Sequence, residues 1–205
     1  MERQQLIKKA LRLEWFTFGW MVIEAAVAIG AGIAAHSLLL VAFGIDSIIE
    51  LASAVVLLWR MYAELVQGRE FSETIERRAS RISGLLLFAL AGYVFVAAMW
   101  KLAGHNMASE FSVVGFIVTV VAIPAMYLLA KAKFKLADAL GSHSLRADAT
   151  ESLACGYLSS VVLFGLIVQR VTGLWWIDPA ASLVIVYFLI KEGRMSFMCE
   201  DHEEK

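Results

Sequence analysis

The stretch Gly44–Ser53, GIDSIIELAS, places two carboxylates, Asp46 and Glu50, inside an otherwise apolar run from residue 38 to residue 59. That run is long enough to cross a membrane as a helix, which takes about 20 residues. An ionisable group near mid-membrane costs about 2.5–3.5 kcal/mol on insertion scales, so such groups are usually kept for a function. The stretch therefore predicts a membrane helix and a functional role for its two acids.

The rest of the chain has the composition of a membrane protein. Of its 205 residues, 60% are hydrophobic and only two are prolines, and the mean hydropathy is +0.72, far above that of an ordinary soluble domain. We predict an all-α, polytopic membrane protein with six transmembrane helices. The approximate spans are 13–35, 38–61, 82–101, 111–131, 141–170 and 174–191. They form one transmembrane domain, residues 1–192, followed by a short polar cytoplasmic tail, residues 193–205.

The distribution of basic residues predicts the orientation of these spans. With the N-terminus in the cytoplasm, all but two of the 18 Lys and Arg residues lie on the cytoplasmic side, the exceptions being Lys101 and Arg170. The positive-inside rule therefore predicts that both termini are cytoplasmic. The compact loops favour a bacterial inner membrane. The net charge of −1 gives no sign of nucleic-acid binding, and we expect no such partner.

The acids within the predicted spans have no basic neighbours in the sequence. Glu24, Asp46, Glu50 and Glu151 fall inside spans, and no Lys or Arg falls in the apolar part of any span. We therefore expect a proton, water or a bound cation to neutralise them. A further acid, Asp178, stands before a proline at the start of span six and is expected to cap that helix.

Two pairs of residues with helical spacing suggest a metal site. Asp46 and Glu50 are at i and i+4 on helix two, and Glu151 and Cys155 repeat that spacing on helix five. Asp148 lies one turn before Glu151 on the same stripe. If the two helices face each other, three carboxylates and one thiolate converge. That donor set suits a divalent transition metal, with zinc first and cadmium or cobalt next.

Two segments carry a resemblance to a known family. HSLLLVAFGIDSIIELAS (36–53) and SLRADATESLACGYLSS (144–160), together with the order of six spans, resemble the cation diffusion facilitator family, in its short branch without a C-terminal cytoplasmic domain. The resemblance covers nearly the whole chain. It implies a transport site made by two residues on helix two, here Asp46 and Glu50, and two on helix five, here Glu151 and Cys155. It also implies proton-coupled metal efflux by alternating access, in a homodimer.

Alternatives remain open for individual residues. Cys155 is either a metal ligand or a small buried residue at a helix interface. If Asp148 takes its place, the site becomes all-oxygen and favours manganese or iron. Glu24 is either a proton carrier or supporting group near the site, or a structural hydrogen-bond partner.

Other functions make different demands on the sequence. A carrier or channel for another cation needs acids but no thiolate, and a non-transporting membrane modulator needs loop surface that this chain scarcely has. An enzyme is not expected, because no span pairs a nucleophile with a base or contains HExxH. We expect no prosthetic group, and as partners the transported metal, protons, the lipid bilayer and a second copy of the chain. Small residues on helices three and six are the expected dimer contacts: Ser83, Gly84, Ala91, Gly92, Ala180 and Ala181.

Overall fold

Six helices account for nearly all of residues 2–67, 73–104 and 109–198, the part of the chain that the computed structural model describes. They are α1 (Glu2–Ala34), α2 (Leu38–Gln67), α3 (Glu73–Leu102), α4 (Val113–Leu140), α5 (His143–Thr172) and α6 (Ile177–Met198). Among the described residues, five helices, α1 to α5, are long and apolar enough to cross a membrane. The all-α polytopic fold is thereby confirmed, and the side on which the termini lie stays a prediction.

Large apolar side chains cover the outer surface of the bundle. Trp15, Leu128, Phe164 and Tyr187, on four different helices, are each more than half exposed. A soluble protein rarely exposes apolar surface of this extent. In a bilayer the same side chains face lipid, which agrees with the membrane assignment.

α2 lies at the centre of the bundle. It contacts α1, α3, α5 and α6, while α4 packs mainly along α5 and α3 mainly along α6. Phe43 on α2 and Leu158 on α5 are fully buried in the shared core. This arrangement turns the acidic face of α2 toward α1, α5 and α6.

Two glycines allow α1 and α2 to approach closely. A Cβ atom on Gly44 would lie 2.6 Å from Ile29 Cγ1 and 2.9 Å from the Ile29 backbone nitrogen. A Cβ atom on Gly32 would lie 2.8 Å from the Val41 backbone nitrogen. No side chain fits at either position without separating the helices. Since Gly44 precedes Asp46 by two residues, this contact also fixes how near the acid comes to α1.

A tight turn places α4 and α5 side by side. Gly141 ends α4 in the left-handed conformation, with φ 64°, and Ser142 begins α5 by accepting a hydrogen bond from the Leu145 amide at 3.3 Å. Glycine favours the left-handed region because it has no Cβ. The two helices are therefore antiparallel, and the last turns of α4 lie beside the first turns of α5.

Asp178 caps a different helix from the one that the sequence predicts. Its carboxylate accepts hydrogen bonds from the Ser37 hydroxyl and from the backbone amides of Leu38, at 3.0 Å, and Leu39, at 3.4 Å. These amides open α2, and Lys101 completes the group with an ion pair of 3.3 Å. The expectation that Asp178 caps helix six is wrong, because its side chain turns toward the free amides of α2 instead.

Several small residues proposed as dimer contacts are used inside the single chain. Gly84 and Ala91 of α3 are buried. A Cβ on Gly193 of α6 would lie 3.3 Å from the Gly84 carbonyl oxygen, so α3 and α6 approach each other there. Gly92 has open space around it. The close approach of these two helices is thus intramolecular at Gly84, and homodimer formation remains a proposal.

Candidate metal-transport site

Asp46 and Glu50 occupy successive turns of α2 in the protein core. Asp46 is fully buried and Glu50 is 5% exposed. Both oxygens of each carboxylate lack a hydrogen-bond partner among the described residues. A buried carboxylate without a partner is costly in free energy. The pair is therefore suited to receive a cation or protons.

Cys155 reaches the same part of the core from α5. It is fully buried and has a free thiol. Its Sγ donates to Glu24 Oε1 at 3.5 Å, and it lies close enough to Asp46 and Glu50 to interact with them electrostatically. Cys155 thus lies in the same part of the core as the two α2 acids.

Glu24 of α1 is held by three donors. Its carboxylate accepts from Trp20 Nε1 at 2.6 Å, from the Ser47 hydroxyl at 2.8 Å and from the Cys155 thiol. Glu24 therefore links α1 to both helices of the predicted site. This geometry favours a supporting role, in which Glu24 orients Ser47 and Cys155 beside Asp46.

Glu151, the fourth predicted ligand, faces a small cavity. It lines that cavity together with Glu50 of α2 and Glu192 of α6. It also lies within electrostatic range of Asp46 and Asp148. Glu151 thus borders the predicted site.

Asp148 has a partner that the sequence did not reveal. Lys133 of α4 is fully buried, and its Nζ lies 2.5 Å from Asp148 Oδ2 and 3.3 Å from Glu14 Oε2. Span four was predicted to end at residue 131, but α4 continues to Leu140 and carries Lys133 into the core. Asp148 is neutralised by this ion pair, which makes a metal-ligand role for it less favourable than for Glu151.

Sequence reasoning missed three buried charged residues: Glu14, Lys133 and Glu192. The signal was present in the helical spacing. Glu192 lies 14 residues after Asp178, close to four full turns, so the two share a face of α6. Lys133 follows the buried residues Met126 and Leu129 of α4 at spacings of seven and four. Lys133 and Glu192 lie just beyond the predicted spans 111–131 and 174–191, whereas Glu14 lies near the start of the predicted span 13–35.

The residues of the candidate site do not form a preorganised metal-binding site. In the described segments, no three side chains of His, Cys, Asp or Glu lie close enough to one another to hold a metal ion. Electrostatic interactions link Cys155 to Asp46, Glu50 and Glu24, and they link Glu50 to Asp46 and Glu151.

Comparisons with known proteins cover almost all of this architecture. The sequence model of a family described as the cation efflux transmembrane domain matches residues 15–198, from α1 to the end of α6. The chain is also similar to Transmembrane protein 163 of Xenopus laevis, with 26% identity over 197 residues, covering 94% of this chain and 67% of that protein. The family match includes every residue of the candidate site.

Proposed function

This chain belongs to the cation efflux family, a family of metal-cation transporters, and we propose that it exports a divalent transition metal in exchange for protons. The observation that carries the proposal is the pair Asp46 and Glu50, buried on α2 without hydrogen-bond partners and facing the Cys155 thiol. Three features favour a cation there: negative charge, burial and the lack of competing donors.

The donor types favour a borderline or soft divalent metal. Asp46, Glu50, Glu151 and Cys155 offer three carboxylates and a thiolate, which suit zinc first and cadmium or cobalt next. Manganese or iron would be favoured if the sulfur stayed outside the coordination sphere. Zinc is therefore the proposed principal cargo.

Proton exchange follows from the chemistry of the ligands. Carboxylates and a thiol bind a metal only when deprotonated, so each metal ion displaces protons. An inward proton gradient then favours release on the far side of the membrane. Alternating access would come from rocking of the helices around the site, with metal entering from the cytoplasm. A homodimer with cytoplasmic termini, in a bacterial inner membrane, completes the proposal.

Metal uptake into proteoliposomes tests this function. Vesicles with an acidic lumen would be supplied with zinc, cadmium, cobalt or manganese outside, and uptake would be followed by radiolabel or a trapped dye. We expect zinc or cadmium to accumulate as protons leave, and Asp46→Asn and Glu151→Gln to abolish uptake.

A matched control lies one turn along α5. Ser159 is buried on the same stripe as Cys155 and donates to the Cys155 carbonyl oxygen at 2.9 Å. Ser159→Ala should transport like the wild type. Absence of uptake for all four metals, or full activity of both acid variants, would overturn the proposal and favour a carrier of another cation or a non-transporting protein.

A further inference from the structure

A small acidic cavity lies between α2, α3, α5 and α6, beside the candidate site. Its lining residues are Ile49, Glu50, Ser53, Leu87, Glu151 and Glu192. The centre of a water-sized sphere can move within about 10 Å³ of this cavity. That volume is close to the smallest that holds one water molecule. Three of the lining residues are acids and none is basic. The cavity therefore has the size and charge for a single small cation.

Glu192 comes to this cavity from the last turns of α6. It is only 5% exposed, although it lies between Lys191 and Gly193 in a charged stretch of sequence. Its face of α6 also carries the fully buried residues Ile185 and Leu189. The packing of α6 thus carries Glu192 into the core.

Glu50 belongs to both the cavity and the thiol-containing group. It lines the cavity, it is 95% buried, and both of its oxygens lack a hydrogen-bond partner among the described residues. An unpartnered carboxylate that faces a cavity of this size is suited to bind an ion there. Glu50 can therefore turn either to Asp46 and Cys155 or to Glu151 and Glu192.

We propose that Glu192 is a further metal-ligating residue. The carboxylates of Glu50, Glu151 and Glu192 line one cavity but do not enclose an ion as they stand, and we propose that they close around a divalent cation to form a second position for it. We call this second position the oxygen-only position. The inference deepens the proposed function and rests on it for the identity of the cargo. Carboxylates without sulfur suit hard divalent cations such as Mn²⁺ better than zinc or cadmium.

The order of residues along the helices sets the order of the two positions. Glu50 lies one turn beyond Asp46 toward the C-terminus of α2, and Glu151 lies one turn before Cys155 toward the N-terminus of α5. These two helix ends share one side of the bundle, because Leu57 and Met61 near the end of α2 pack in one buried cluster with Leu145 at the start of α5. A cation arriving from that side meets the oxygen-only position first and the thiol second.

Binding of Mn²⁺ to the purified full chain in detergent tests this inference without any transport. Free Mn²⁺ has a six-line electron paramagnetic resonance signal that is lost on binding, so a titration gives the affinity directly. Glu192→Gln should weaken Mn²⁺ binding by about tenfold or more, since loss of even an outer-shell partner of a metal costs 10- to 100-fold. Cys155→Ser should leave Mn²⁺ affinity unchanged but weaken Cd²⁺ binding.

Two further variants guard against loss of folding. Glu192→Asp keeps a carboxylate and should retain part of the Mn²⁺ affinity, whereas a general folding defect would affect it as it affects Glu192→Gln. Ser182→Ala, on the same buried face of α6, should bind Mn²⁺ like the wild type.

The possible outcomes separate this inference from the proposed function. Unchanged Mn²⁺ affinity in Glu192→Gln would overturn the oxygen-only position even if metal transport is intact. Equal loss of Mn²⁺ binding in Glu192→Gln and Cys155→Ser would also overturn it, because a single mixed site would then hold both metals. If Mn²⁺ binding depends on Glu192 and not on Cys155, the inference stands, even for a protein that fails to transport metal.

Discussion

Lys133 and Asp148 form a buried ion pair, with 2.5 Å between Nζ and Oδ2, that joins α4 to α5. Glu14 of α1 contacts the same ammonium group at 3.3 Å, so one cation serves two carboxylates. Lys133 also lies within electrostatic range of Glu151. The group thus ties three helices together and places a fixed positive charge beside the predicted site.

Removal of Lys133 should destabilise the bundle strongly. Lys133→Met leaves Glu14 and Asp148 in the core without their cation, and breaking a buried ion pair costs about 3–5 kcal/mol. Thermal unfolding of the detergent-solubilised protein, followed by circular dichroism, measures the effect. The triple variant Lys133→Met, Glu14→Gln, Asp148→Asn should recover most of the lost stability.

Two neighbouring lysines serve as controls for that measurement. Lys131 and Lys135 are exposed on the same helix, and their replacement by Met should change stability little. If Lys133→Met unfolds at the wild-type temperature, the ion pair contributes nothing to the fold.

Removal of the Asp178 carboxylate should destabilise the first turn of α2. The effect should be larger than that of removing an exposed ion pair elsewhere in the protein. Asp178→Ala leaves the Leu38 and Leu39 amides and the Lys101 ammonium without their carboxylate, and an unsatisfied buried group costs about 1–3 kcal/mol. Hydrogen–deuterium exchange should therefore quicken at the first turn of α2.

The control for Asp178 is Asp138, which pairs with Arg146 at 2.6 Å while both side chains are more than half exposed. Exposed ion pairs contribute about 0–1 kcal/mol to stability. Asp138→Ala should therefore change hydrogen–deuterium exchange little, although the Asp138–Arg146 contact is shorter than the 3.3 Å contact of Asp178 with Lys101. Equal protection of α2 in Asp178→Ala and the wild type would show that the cap is dispensable.

The close contact of α1 and α2 should depend on Gly44. Gly44→Ala puts a methyl group within 2.9 Å of the Ile29 backbone nitrogen, and overpacking of this kind costs about 1–3 kcal/mol. Gly30→Ala is the matched control, because nothing lies within 4 Å of its added Cβ. Thermal unfolding of the two variants should differ clearly, and equal stability would contradict the packing described for α1 and α2.

Local features of the sequence were enough to predict the membrane helices, and the resemblance to the cation diffusion facilitator family implied that α2 and α5 share a site. Apolar runs mark the helices, and the i, i+4 spacing puts Asp46 and Glu50 on one face. Cys155 was placed near them only by the resemblance, which implies two ligands four residues apart on helix five. The role of these residues as ligands remains a proposal, since sequence spacing fixes a face of a helix but not what binds there.

Glu14, Lys133 and Glu192 were missed for a physical reason. Spans four and six were predicted to end at residues 131 and 191, just before Lys133 and Glu192, but a buried face continues beyond an apolar stretch wherever a charge finds a partner, as Lys133 does in Asp148. On α1 the fully or nearly buried residues Ala10, Glu14, Thr17, Met21 and Glu24 follow one another at spacings of three and four. Glu14 fits that stripe, and only its tertiary contact with Lys133 shows why a charge is tolerated there. The capping role of Asp178 was mispredicted similarly, because α2 is distant from it in sequence.

Cadmium should protect Cys155 from alkylation if the thiolate is a metal ligand. In a Cys199→Ser background, which removes a cysteine outside the described residues, Cys155 is the remaining thiol. Alternating access would open the buried thiol to water at intervals, so a small maleimide should label it slowly. Cadmium bound to Asp46, Glu50 and the thiolate blocks the nucleophilic sulfur, and labelling measured by mass spectrometry should fall.

Comparison with manganese and with an acid variant separates ligation from burial. Manganese should protect Cys155 less than cadmium, because it has little preference for sulfur. Asp46→Asn should abolish protection by cadmium. Its labelling with cadmium is compared with its own metal-free labelling rate, because Asp46 interacts electrostatically with the thiol. Equal labelling with and without cadmium would mean that Cys155 serves only to pack α5 against Glu24, and the site would then be built from carboxylates alone.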